Sequence, residues 1–258
     1  MTRAEDARER SILPVTQALC DDMKEHNVIR TGAPVGCERL SLVKFSYFGF
    51  DGSIHADGEI MVMDAAAENV LGIFTRLRDM RFPVAKARLI NHYDGNDDAS
   101  IADNNTSAFN SRNVAGTNVL SLHAYGLAID INPLQNPYVQ RSGGKLTFSP
   151  PAGAAYANRL SGQPEKRLRA GMAESVIDVF ADEGFLIWGG YWKSAIDYQH
   201  FQVSRSLAQQ LASLSPTQAR AVFTQHVERY RACSRKGGAE ASRSNCSRLA
   251  ADGGSGQP

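Results

Sequence analysis

The stretch Ser121-Leu122-His123-Ala124-Tyr125-Gly126-Leu127-Ala128-Ile129-Asp130-Ile131-Asn132-Pro133 constrains this chain more than any other. From Leu127 onward the residues alternate with the period of a β-strand. Leu127, Ile129 and Ile131 point to one face, and Ala128, Asp130 and Asn132 to the other. Pro133 ends the run. Asp130 therefore falls mid-strand, a poor place for a solvated carboxylate. A buried carboxylate needs a cation or several donors. His123, on the loop that leads into the strand, can turn its imidazole to the same point.

A second stretch, Trp188-Gly189-Gly190-Tyr191-Trp192-Lys193-Ser194-Ala195-Ile196-Asp197-Tyr198-Gln199-His200-Phe201-Gln202-Val203, adds another Asp and another His. His123, Asp130 and His200 together form a two-histidine, one-carboxylate set. That is a normal protein shell for catalytic zinc, with the fourth position left to water. Asp197 is a spare carboxylate placed to act as general base. Three residues separate Asp197 from His200, so in one regular strand they would face opposite ways. Asp197 is accordingly expected in the turn after Ser194-Ala195. The H-E-x-x-H helix motif of another zinc peptidase class is absent.

The order S-x-H-x-x-G-x-A-x-D, followed by D-x-x-H-F, resembles the LAS metallopeptidases from about Asn91 to Val203. These are zinc peptidases of bacterial cell-wall stem peptides: D-Ala-D-Ala dipeptidases and carboxypeptidases, and L-Ala-D-Glu endolysins. The resemblance implies that His123, Asp130 and His200 hold Zn2+ and that Asp197 is the base. Asp rather than Glu at position 197 resembles the L-Ala-D-Glu branch more than the dipeptidases. Family members use an arginine to stabilise the oxyanion, and Arg112 is assigned that role. The family's arginine usually lies earlier, at a strand end that here reads Asn91-His92-Tyr93-Asp94. Ser121 is expected to support Asp130 or the loop backbone, and Trp188, Tyr191 and Trp192 to wall the cleft. The Hedgehog signalling domain shares this type of fold, so a zinc-binding module without catalysis is the rival from another class. Asp197 discriminates the two, because a pure binding module needs no base.

The expected fold is α+β: a small, mainly antiparallel sheet with helices on one side and a zinc cleft, like the Hedgehog domain and the D,D-peptidases. A chain of 258 residues with 43% hydrophobic content can bury one sizeable core. Three parts are expected: an N-terminal helical segment (1–38), a zinc peptidase domain (39–230) and a flexible C-terminal tail (231–258) whose apolar content collapses. A formal net charge of +1 gives no argument for a nucleic-acid partner. No apolar run reaches the ~18 residues of a membrane helix. The expected partner is the peptidoglycan stem peptide, and the expected state a monomer acting in the periplasm or on the cell wall. Met1–Glu9 is charged and no apolar signal core follows it. Export is then expected through a trimmed signal, phage lysis or an injection system. Cys20, Cys37, Cys233 and Cys246 lack C-x-x-C spacing, which argues against a cysteine zinc site. Their even number fits two disulfides, most simply Cys20–Cys37 and Cys233–Cys246, or four free thiols.

Element by element, the periodicity predicts a helix over Ala4 to Asn27 interrupted at Pro14, and strands at Leu40 to Phe50 and Glu59 to Met63 around the turn Asp51-Gly52-Ser53. A helix follows from Asp64, its expected N-cap, to Asp79, with Val70, Ile73, Phe74 and Leu77 as its apolar stripe. Ala87 to Tyr93 reads as a strand, and Asp94 to Arg112 as an irregular cleft wall. Later elements are a helix from Ala170 to Gly184, short strands at Phe185 to Trp188 and Gln199 to Val203, and helical segments from Ser206 to Tyr230 with Ser215 capping the second.

Overall fold

A computed structural model describes residues 10–157, 159, 168–236 and 242–252. Its strands are β1 (Ser11–Pro14), β2 (Leu40–Phe48), β3 (Ile54–Met63), β4 (Ala128–Asp130), β5 (Tyr138–Ser142), β6 (Lys145–Ser149), β7 (Ile187–Trp188), β8 (Ala195–Asp197) and β9 (His200–Gln202). Its α-helices are α1 (Gln17–Glu25), α2 (Ala67–Asp79), α3 (Asp97–Ala102), α4 (Ile177–Asp182), α5 (Arg205–Ser213), α6 (Pro216–Ser234) and α7 (Arg243–Asp252). The fold is α+β, as expected, but the strands form three small antiparallel sheets in place of one. Their orders are β1-β2-β3, β4-β9-β7 and β6-β5-β8. The break-up has a local cause. Pro133 and Pro137 interrupt the chain after β4, and Gly189-Gly190 turns it away after β7, so neither strand can lengthen.

The first sheet is the floor of the core. β2 and β3 pair from Leu40↔Met63 outward, and the Asp51-Gly52-Ser53 turn closes the hairpin. Helix α2 lays Val70, Ile73, Phe74 and Leu77 on it, all fully buried, as the spacing predicts. Phe74 stacks on Phe45 of β2 at 3.8 Å between ring centroids. Leu127, Ile129 and Ile131 enter the same core at 0% exposure, yet Ala128, Asp130 and Asn132 on the other face of the strand are buried too. Thus β4 separates an apolar face from a buried polar one.

Several elements differ from expectation. The N-terminal segment is not one helix: Ser11–Pro14 is an edge strand on β2, and only Gln17–Glu25 is helical. Pro14 has no N–H to give and fits a strand edge better than a helix interior. Thr16 then caps α1 by accepting from Leu19 N at 3.2 Å. Residues 4–9 of the expected helix lie outside the described residues. Asp64 does not cap α2. Its carboxylate instead receives Arg39 Nε and Nη2, both at 3.2 Å. The same guanidinium donates to the carbonyls of Leu211, Ala212 and Leu214, capping the C-terminus of α5. The expected strand at 87–93 is a single bridge, Ala87↔Thr106, followed by a 3-10 turn at Ile90–Tyr93. The Ala170 to Gly184 helix reduces to a 3-10 turn, Ala173–Val176, and α4. Ser215 does cap α6, within a capping box that includes Gln218.

The tail expected to be loose contains α7. Cys233 of α6 and Cys246 of α7 are joined by a disulfide, and both line a small buried cluster with Ala181, Tyr230 and Ala250. The cross-link and this apolar contact supply what the polar composition of the segment lacks. Cys20–Cys37 ties α1 to the turn before β2, so both pairings are the ones the spacing made simplest.

Two stability outcomes follow. Asp64→Ala leaves a buried guanidinium without its counter-charge, and urea denaturation should show a loss of about 3–5 kcal/mol. His226, 5% exposed and bonded through Nε2 to Gly184 O at 3.1 Å, has its pKa lowered by burial. The folded state then binds fewer protons than the unfolded one, so this contribution is present above pH ~6.5 and lost as pH falls below it. Melting temperature should drop between pH 7 and 5, and His226→Gln should shrink that drop.

Candidate metal centre

The first ligand-bearing turn is built by its own sequence. Ser121 Oγ accepts from His123 N at 3.3 Å and starts the 3-10 turn Leu122–Tyr125. Gly126 closes it at φ +67°, where a Cβ would come within 2.5 Å of Met63 N. With glycine there, Met63 N reaches Gly126 O at 3.0 Å and pins the turn to β3. The chain then enters β4. Asp130 exchanges two backbone hydrogen bonds with Ser107, at 3.0 and 2.9 Å, and stands opposite His200 in the β4–β9 pair.

His123, Asp130 and His200 are 3%, 3% and 6% exposed. His123 Nε2 lies 3.2 Å from Asp130 Oδ2 and 3.2 Å from His200 Nδ1, and His200 Nδ1 lies 2.9 Å from Asp130 Oδ1. The other nitrogen of each ring is committed. His123 Nδ1 donates to Ala108 O at 2.5 Å, and His200 Nε2 to Gln202 Oε1 at 2.7 Å. In the neutral rings these outer bonds leave both inner nitrogens as lone pairs, facing each other and a carboxylate. Three acceptors that converge in a buried place call for a cation. Ligands at 2.0–2.2 Å around a tetrahedral centre stand about 3.3–3.6 Å apart, and the observed separations are close to that. The three residues could thus hold a metal ion. Despite burial, the two imidazoles hold the Asp130 carboxyl far below the usual range. Burial alone would lower His200, but the hydrogen bond and charge of Asp130 raise it to about 9.

Asp197 is not in a turn. It ends β8, opposite Tyr138 of β5, in a different sheet from His200. Tyr198 and Gln199 cross between the sheets, and this removes the conflict of parity. Gly189 packs against it so closely that a Cβ would lie 2.5 Å from Asp197 O. Burial and the Asp130 charge raise the Asp197 pKa to about 7. Arg112 receives Ser121 N on its carbonyl at 3.0 Å, and its Nη2 pairs with Asp97 Oδ2 at 2.7 Å. The Asp97 charge also acts on Asp197, which puts the Arg112–Asp97 pair within electrostatic reach of that carboxylate. Among the described residues, the buried side-chain atoms without a hydrogen-bond partner are Asn110 Oδ1, Arg112 Nε, Asp197 Oδ1 and Gln199 Oε1. All four belong to residues of this region, since Asn110 N bonds His123 O and Gln199 precedes His200. Buried polar atoms left without a protein partner call for an explanation, such as a catalytic role, an ordered water or an ion.

The aromatic residues divide. Trp188 does not line a cleft: it is 6% exposed, donates from its indole to Tyr198 O at 2.8 Å, and stacks on Phe201. Trp192 is 38% exposed and its ring lies 5.4 Å from that of His200. Tyr191 stands on edge against Trp188, with its hydroxyl bonded to Arg243. Sequence reasoning missed Ala108, Asn110, Gly189 and Gln202. Gln202 carried a signal, because two residues after His200 it shares that side of the strand. Ala108 acts through a carbonyl that every residue has, and left none. Residues 105–111, expected as an irregular wall, are buried and stitched by hydrogen bonds to β3, β4 and the His123 turn.

Residues 115–203 match the profile of a family described as D-alanyl-D-alanine carboxypeptidase. No curated protein and no solved structure matches the chain. The matched part covers about a third of the sequence, includes His123, Asp130, Asp197 and His200, and leaves out Arg112. This similarity supports a peptidase, and the buried His-Asp-His group could bind a metal ion.

The geometry makes a graded prediction for metal content, read by mass spectrometry of the purified protein. His123→Ala should lose the ion. Gln202→Leu, which removes only the acceptor behind His200, should weaken metal affinity roughly 10–100-fold.

Proposed function

We propose that this chain is a zinc-dependent peptidase that cleaves peptidoglycan stem peptides, with the L-Ala–D-Glu bond as leading substrate. The observation that carries the metallopeptidase reading is the buried meeting of His123 Nε2, Asp130 and His200 Nδ1, with Asp197 beside it. Two neutral imidazoles and one carboxylate suit zinc better than harder, oxygen-seeking ions. Zinc, when bound, supplies a Lewis acid that brings the pKa of water towards ~7. Asp197 accepts the proton of the attacking water and passes it to the leaving amine. Its free Oδ1 is suited to that task, and Gly189 leaves room for the strand that carries it. Arg112 is assigned to the developing oxyanion, with its Nε as donor. Trp192 is assigned to the substrate wall. Ser121 is assigned a supporting role through its hold on the His123 turn.

The choice of bond rests on two considerations. A carboxypeptidase must hold its substrate's terminal carboxylate with a cation. Arg112, the arginine assigned to this region, is already paired with Asp97, which favours an internal bond such as L-Ala–D-Glu. The description of the matched family favours the second reading, a D,D-carboxypeptidase or D,D-endopeptidase at D-Ala bonds. Such a substrate places the enzyme in the periplasm or on the cell wall.

Incubation with whole peptidoglycan, with zinc and with chelator, should release peptides with new N-terminal D-Glu. Loss of D-Ala or opened cross-links in the mass spectra would establish the second reading. No cleavage by zinc-loaded protein would leave a metal-binding module. Asp197→Asn should retain metal and lower kcat by about 10²–10⁴-fold; full activity in that variant would remove Asp197 as the base.

A further inference from the structure

Helix α7 reaches the metal centre through one side chain. Arg243 lies at its start, and its Nη1 donates to the Tyr191 hydroxyl at 2.6 Å. Its Nε donates to Asp178 Oδ1 of α4 at 3.1 Å, and its Nη2 makes a second contact with the same oxygen. The helix cannot drift from this place, because Cys246 is bonded to Cys233 of α6 and is itself 0% exposed.

Tyr191 ends the 3-10 turn Gly189–Tyr191, and three contacts run from that turn to the site. Gly189 packs on the backbone and Cβ of Asp197. Trp192, the next residue after the turn, sets its ring 5.4 Å from His200. The Tyr191 ring stands edge-on to Trp188 at 4.9 Å, and Trp188 in turn holds Tyr198 O in the crossover between β8 and β9. Tyr191 is 59% exposed, so packing alone restrains it weakly, and the Arg243 hydrogen bond is its directional tether. A guanidinium that forks between a carboxylate and a hydroxyl is a rigid link, because its donors lie in one plane.

We infer that Arg243 is a positioning residue, which through Tyr191 braces the Gly189–Trp192 turn and so fixes the wall of the site beside Asp197 and His200. Arg243 touches neither metal ligand nor base, and it acts only through the turn. The kinetic part of the inference rests on the peptidase reading, whereas the bracing part does not.

The test measures hydrogen–deuterium exchange of residues 189–194 in the full chain, alongside metal content and melting temperature. Arg243→Ala and Tyr191→Phe should each speed exchange there about fivefold, the factor that one hydrogen bond of typical net strength is worth. The double variant should go no further. Arg243→Lys should restore part of the protection. Asp178→Asn keeps the Tyr191 bond and should leave exchange at 189–194 unchanged. On cleaved substrate, kcat/KM should fall in step with exchange while metal content stays at the wild-type level. Unchanged exchange in either Arg243→Ala or Tyr191→Phe overturns the inference. An equal rise in Asp178→Asn overturns it too, because the effect would then be a general loosening of α7. Faster exchange in a protein whose wild type cleaves nothing would uphold the brace and refute the peptidase reading.

Discussion

Two imidazoles and a carboxylate converge in a buried place, and the rest of the molecule's central region is arranged to keep them there. Left alone, two imidazole lone pairs and a carboxylate would repel one another or take up protons. What fixes them as acceptors lies one step outward. The Ala108 carbonyl and the Gln202 amide oxygen each claim the only N–H of a neutral ring. Each of these partners has its own support. Ala108 belongs to a buried segment whose backbone bonds to β3 and β4, and Gln202 sits opposite Ala128 in the β4–β9 pair. The cost of a buried charged set is therefore offset by many ordinary backbone hydrogen bonds, and the set could in addition hold a metal ion.

The division into three sheets has a direct consequence for chemistry. The metal-binding residues come from the His123 turn and from β4 and β9, whereas Asp197 comes from β8 in another sheet. A carboxylate in the same short strand as His200 would have pointed away from it. By passing through Tyr198 and Gln199 between sheets, the chain turns both side chains to one region. The location of Asp197 then depends on its pairing with Tyr138 and on the close approach of Gly189. The backbone bonds that orient His123, by contrast, come from the 105–111 segment and β3.

How legible this was depended on whether a feature used side chains near in sequence. The strand at β4, the hairpin of β2 and β3, the stripe of α2 and the Ser215 cap all announce themselves within a few residues. The His123, Asp130 and His200 set was readable because a buried mid-strand carboxylate demands partners and two histidines were at hand. Distant pairings erased other signals. Asp64 reads locally as a cap, but Arg39 offers it a bidentate partner that local sequence cannot show. The C-terminal segment reads as a tail by composition, and a disulfide with one small apolar cluster makes a helix of it. Trp188 reads from sequence as a cleft wall, and its contacts with Phe201 and Tyr198, distant in local sequence terms, pack it into the core.

Similarity to the carboxypeptidase family is confined to 115–203, the segment that carries the ligands and Asp197. The frame around them comes largely from elsewhere. Met63 pins the Gly126 turn, Ala108 orients His123, and Asp97 neutralises Arg112. Arg243 holds Tyr191 from beyond the other end of the segment. A likeness limited to the reacting groups speaks to the hydrolysis of a peptide bond. Which bond enters is governed by the walls, and of these the likeness reaches Trp192 but not Arg112 or Asp97. The pairing of Arg112 with Asp97, both outside the matched segment, bears on the proposed choice of bond independently of the family description. An arginine whose charge is already met has little left for a substrate carboxylate, whereas its Nε still lacks a hydrogen-bond partner within the protein.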